Sequence, residues 1–204
     1  MTPSMPAPGR GPAAVGRPRR TRLANTNTLF TFTASGITFA PGSGDFVLGG
    51  GRITLAGNIT NQSQATQTIA LDLQTTVTRT ITGSGGSTTI LSGNIGGAGG
   101  ALSFTRAGGG ISVFTISGSN SYTGDTTLSV ANITLNINND QALGQTGSLV
   151  IGGNTFFDAT AGARTIANGM LVSGGSPTFL GTANLTINGT TRISGANRSI
   201  TVNA

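Results

Sequence analysis

Ile133-Thr-Leu-Asn-Ile137 alternates apolar and polar residues without a break. Period two puts successive side chains on opposite faces, which is the signature of a strand with one buried face. The same pattern returns along the whole chain from Leu23. It appears at Phe30 and Phe32, Ile37 and Phe39, Phe46 and Leu48, and Ile53 and Leu55. It continues at Ile69, Leu71 and Leu73, then at Phe114 and Ile116, Leu128 and Val130, and Leu149 and Ile151. Leu185 and Ile187, then Ile200 and Val202, complete the series. The polar partners are mostly Thr, Ser and Asn. Gly, Asn, Ser and Asp fill the intervals, and these are the residues of turns.

Composition removes the alternative of helix. Lys and Glu, both good helix formers, are absent from the 204 residues, while Gly and Thr each occur 34 times. Thr, Ile and Val favour strands, and Gly and Asn favour turns. The chain is therefore all-β. Cys, His and Trp are also missing. That excludes disulfides and the usual zinc and copper sites.

A looser repeat suggests how the strands are arranged. Ala56-Gly-Asn58, Ser92-Gly-Asn94, Ser117-Gly-Ser-Asn120 and Ser194-Gly-Ala-Asn197 each follow a β-like run. Their glycines lie 36, 25 and 77 residues apart, which is no strict tandem array. It suits a solenoid with coils of roughly 20–30 residues, whose equivalent strands stack about 4.8 Å apart. Such stacking buries a continuous apolar column and lets Asn and Thr at equivalent turns form ladders. It also repels like charges placed above one another, in keeping with a charged fraction of only 8%. At about 22 residues per coil, the domain should make about eight coils and reach about 40 Å. A β-sandwich or antiparallel barrel would share the short strands, but not the scarcity of charge or the repeated corners. A membrane barrel should carry aromatic girdles, for which one Tyr and scattered Phe are too few.

Residues 1–22 differ from the rest. They hold five of the seven prolines, five Arg and no acid. The spacing and composition predict a disordered basic tail over 1–22 and one domain over 23–204. The net charge of +6 falls to +1 once the tail is set aside. The tail lacks the apolar run of a secretory signal, and no stretch is apolar for long enough to form a membrane helix. Its Arg17-Pro-Arg-Arg-Thr-Arg22 cluster lacks the interleaved aromatics that stack on bases, so no nucleic-acid partner is expected.

The segment Phe114-Thr-Ile-Ser-Gly-Ser-Asn-Ser-Tyr-Thr-Gly-Asp-Thr-Thr-Leu128 resembles the autotransporter-associated β-strand repeat. Ile116, Gly118, Asn120, Tyr122, Gly124 and Thr126 fall on the family's positions, with Asp125 inside the motif. Asn138-Asn-Asp-Gln-Ala-Leu-Gly144 is similar to the turn that precedes the family's next strand. The resemblance covers roughly residues 29–204. Val130-Ala-Asn-Ile-Thr134 and Arg106-Ala-Gly-Gly-Gly110 depart from the family pattern. The resemblance implies a right-handed parallel β-helix, carried at the cell surface or secreted, and a piece of a longer passenger protein. It implies a scaffold role for the motif, with no catalytic residue. Membrane attachment would then run through segments absent from this chain. Surface glycans or neighbouring cells are the expected partners.

Several residues could instead carry chemistry. Tyr122 with Asp125 could form a sugar-binding or acid/base pair, although Gly-Asp is ordinary corner chemistry. The five acids, Asp45, Asp72, Asp125, Asp140 and Asp158, could cluster to cleave acidic polysaccharides with Ca²⁺ and a basic residue. Asp140 and Asp158 are spaced to stack on adjacent coils. Gly42-Ser-Gly-Asp45 is a single, imperfect copy of a calcium-binding repeat. Gly83-Ser-Gly-Gly86 and Gly96-Gly-Ala-Gly-Gly100 lack the Lys of a phosphate loop and a following helix. The reading that follows is a non-enzymatic structural and display segment without cofactor or metal. A polysaccharide-acting or carbohydrate-binding β-helix is the alternative.

Overall fold

The computed structural model describes residues 25–27, 32–195 and 197–203. The expected disorder of residues 1–22, and the Arg17–Arg22 cluster, lie outside them. The described residues contain strands and turns and no helix. Every paired strand is parallel to its neighbour, and strands equivalent in successive coils lie side by side. The architecture is a parallel β-solenoid with three walls.

A single coil shows the plan. Ile53–Leu55 lies in wall one, Ile59–Asn61 in wall two and Thr66–Ile69 in wall three. The next coil repeats this with Leu73–Gln74, Thr78–Ser84 and Thr88–Leu91. Among the described residues wall two has eight strands and wall three has nine. The strands are short because a corner must follow each of them, and Gly, Asn and Ser supply the corners.

The alternation becomes columns. In wall two one inward position runs Ile37, Ile59, Ile81, Phe104, Leu128, Ile151, Val172, Ile193, one residue per coil. The steps along it are 21–24 residues, in line with the expected coil length. From Ile59 to Val172 these side chains are essentially sealed from solvent. Burial of each contributes about 1.5–3 kcal/mol. Ile193, with a coil on one side only, is 53% exposed. The outward row beside it holds Thr38, Thr60, Thr82 and Thr105.

Wall three is less uniform. Its inward column runs Phe46, Gln67, Thr89, Phe114, Leu135, Phe157, Phe179 and Val202. Phe104 of wall two meets Phe114 across the interior, with ring centroids 4.9 Å apart. Gln67 and Thr89 are polar and fully buried, so each must find a partner inside. Asn61 Nδ2 donates to Thr89 Oγ1 at 3.1 Å and to the Thr88 carbonyl at 3.0 Å. Ser63 Oγ donates to Asn61 Oδ1, and Gln67 Nε2 donates to Ser63 Oγ and to the Gly44 carbonyl. A short polar seam therefore crosses an otherwise apolar column.

Candidate functional site

Wall one is interrupted. Its first ladder holds Phe32–Ala34, Ile53–Leu55, Leu73–Gln74 and Ile95–Gly96. Its second holds Arg164–Ile166 and Leu185–Ile187. The two coils between them have no strand on this side. The first of these coils is crossed by Ser117–Asp125, the middle of the Phe114–Leu128 segment singled out in the sequence. The second is crossed by Asn138–Ser148, which contains the Asn-Asn-Asp-Gln-Ala-Leu-Gly turn. The two segments singled out in the sequence thus lie next to each other and form a splice between two sheets.

Asn120 bonds to the coils on both sides. It follows a corner glycine and is 1% exposed. Its Oδ1 accepts the Ile95 N–H at 2.7 Å, at the open edge of the first ladder. Its Nδ2 donates to the Ala142 carbonyl at 2.6 Å in the following coil. Its backbone N–H donates to the Gln141 carbonyl at 3.2 Å. One side-chain amide thus substitutes for a strand, with its acceptor toward one coil and its donor toward the next. Ser121 N–H completes the edge by donating to the Ile95 carbonyl at 2.9 Å. Ser119 Oγ adds a bond to Gln141 Oε1.

Tyr122 fills the space that the missing strand leaves. The ring is wholly buried within the apolar core. Its hydroxyl is 2.6 Å from Thr126 Oγ1 and 3.4 Å from the Ala142 carbonyl. Burial pushes the phenol well above its usual range, and the Thr126 hydrogen bond opposes this only in part. Gly144, with φ +75°, passes over the ring, where a Cβ would lie 2.9 Å from it and 2.4 Å from the Tyr122 carbonyl. Gly118 and Gly124 press on the preceding coil, where a Cβ would meet the Gly93 and Gly100 carbonyls at 2.2 and 2.6 Å. Ile116 and Thr126 are buried at the two ends of the motif.

Asp125 points away from Tyr122's enclosure, and its Oδ1 accepts the Ser148 N–H at 2.8 Å. The other acids repeat this bond. Asp45 accepts the Thr66 N–H, Asp72 the Asn94 N–H and Asp140 the Thr165 N–H. Asp158 accepts the Thr182 N–H at 3.1 Å and the Thr182 hydroxyl at 2.5 Å, together with the Ala159 N–H. All five acids therefore clasp a backbone amide one coil further on. Asp140 and Asp158 do not stack on each other: Asp158 aligns with Asn136 in wall three, whereas Asp140 sits in the splice. Among the described residues no three Asp side chains gather in a group that could hold a metal ion.

The glycine segments are corners too. Ser87 N–H closes a turn on the Ser84 carbonyl, and Gly100 N–H closes one on Gly97. Gly42, at φ +74°, belongs to a turn closed by Ser43 N–H on the Ala40 carbonyl. Sequence reasoning missed two features. One is the break in wall one; the other is that the acids act as a set. The second leaves no distinctive sequence signal, because the amides held belong to Thr66, Asn94, Ser148, Thr165 and Thr182, ordinary polar residues 21–25 positions after each Asp. No family model, curated protein or solved structure matches the chain.

Proposed function

We propose that this solenoid is a structural and display segment of an exported bacterial surface protein, a stiff stalk that holds other parts away from the cell. The observation that carries the reading is the use of all five acids as clasps between coils. Polar chemistry that an enzyme would direct at a substrate is directed here at the protein's own backbone. The motif residues have the same character, since Asn120, Tyr122 and Gly124 join coils and face inward or along the wall. The resemblance to the autotransporter-associated repeat supports the surface assignment. Thr-rich outer rows would give such a stalk a neutral, hydrated exterior, suited to weak contact with glycans or neighbouring cells. The polysaccharide-acting alternative draws on no comparable feature: its carboxylates lie at separate junctions, and the one tyrosine is enclosed.

The test is to raise antibodies against the full chain and stain intact and lysed cells of the producing organism. Staining of intact cells that is lost after protease shaving is the expected result. A signal found only after lysis would overturn the proposal.

A further inference from the structure

The dipeptide Asn-Gly occurs twice, at Asn168-Gly169 and Asn188-Gly189, and both copies turn the corner from wall one into wall two. The corners belong to adjacent coils, and the flanking strands pair in register, Ile166 with Ile187 and Met170 with Thr191. The two side chains fare differently. Asn168 is 3% exposed, and its Nδ2 donates to the Leu143 carbonyl at 3.1 Å and to Gly147 at 2.7 Å. Asn188 is exposed, and among the described residues its side chain makes no hydrogen bond. Among the described residues neither glycine N–H is engaged in a backbone hydrogen bond.

We infer that Asn188 is a site of spontaneous deamidation and isoaspartate formation, and that Asn168 is protected by the fold. The Gly189 backbone nitrogen attacks the Asn188 Cγ. A nitrogen–carbon bond forms, the Cγ–Nδ2 bond breaks, and the displaced amide nitrogen leaves as ammonia with the glycine's proton. The product is a five-membered succinimide. Water then opens the ring at either carbonyl, giving aspartate or isoaspartate. The step needs a side chain free to rotate onto the following nitrogen and a leaving group open to solvent. Asn188 has both. Asn168 has its leaving nitrogen tied to two carbonyls inside the wall, so its reaction waits on local opening of the coil. Isoaspartate reroutes the main chain through one extra methylene at a corner where Gly189 already lies against the Asn168–Gly169 backbone. It also adds a negative charge. The coil from Leu185 onward should therefore loosen.

Trypsin provides an internal comparison, because cleavage after Arg164 and Arg192 releases both asparagines in one peptide. The full folded chain is incubated at mildly alkaline pH in heavy-oxygen water, and the peptide is then fragmented in a mass spectrometer. Label should enter position 188 at least about tenfold faster than position 168, and at nearly equal rates in denaturant, where protection is gone. Equal labelling in the folded chain would overturn the inference. So would an inert Asn188 in the folded chain that reacts once denatured. Asn188→Gln should abolish labelling at that position; Gly189→Ala is avoided because its Cβ would lie 2.3 Å from the Gly169 nitrogen. Aged wild-type chain should be cut at Arg192 several-fold faster than fresh chain, whereas aged Asn188→Gln should match the fresh rate. Equal rates in all samples would refute the loosening.

Discussion

At the scale of single residues, the clasps and the buried phenol make the sharpest claims. Asp158 is 6% exposed and satisfies three donors. Its removal leaves the buried Ala159 N–H unpaired while the exposed Thr182 donors turn to water, so Asp158→Ala should cost about 2 kcal/mol in urea unfolding. Asp158→Asn keeps an acceptor toward the two amides and should cost under about 1 kcal/mol. Equal losses would show that charge matters here more than the bond. Tyr122 links stability to pH. Its phenol is raised in the fold, whereas in the unfolded chain it ionises near its ordinary value of about 10. Stability is therefore complete below that value and falls as pH rises above it. Tyrosinate absorbance, with one tyrosine to report, should appear together with loss of the β signal in circular dichroism and not before it. Tyr122→Phe should remove that alkaline sensitivity at a cost of about 1 kcal/mol at neutral pH.

At the scale of the corner and the strand, two kinds of glycine can be separated. Gly57 and Gly93 sit where a Cβ would be 1.7 Å from the Ser35 carbonyl and 2.1 Å from the Leu71 carbonyl. Gly42 has a left-handed φ of +74° but open space around it. Gly57→Ala must push two coils apart and should cost about 3 kcal/mol, whereas Gly42→Ala should cost about 1 kcal/mol. Thermal melts of the two variants give the comparison directly. The splice makes a parallel claim. Asn120→Ala removes the acceptor that holds the Ile95 N–H, so that amide should lose most of its protection from hydrogen exchange. Phe104 and Phe114, in the other walls of the same coil as Ile95, should keep theirs.

At the scale of the whole molecule, the carboxylates bond to backbone amides and not to the guanidinium groups of Arg52, Arg79, Arg106, Arg164, Arg192 or Arg198. Stability should therefore barely change with salt, even at 1 M where the screening length falls to about 3 Å. A large drop in melting temperature would reveal ion pairing that the fold does not use. The coil length, the stacking and the inward columns were legible in the sequence because alternation at Ile133–Ile137 and its relatives is a local signal. The break in wall one was not, because Ser117–Asp125 reads as one more corner until its neighbours are known. Gln67 and Thr89 were hidden for a similar reason: in sequence they look like outward residues, and only Asn61 and Ser63, brought in from the preceding strand, explain them inside. The clasps escaped because their partners lie a full coil away.

Those clasps also have a direction. Each Asp lies earlier in the chain than the amide it receives, as do Asn58, Asn94, Asn138 and Asn154. As the polypeptide leaves the ribosome amino end first, each emerging coil meets carboxylate and amide acceptors already in place, and growth can proceed turn upon turn without waiting for the far end. Asn120 breaks the rule by reaching back to Ile95. The splice is thus the point where a newly arrived segment seals what came before it, and where vectorial assembly would pause.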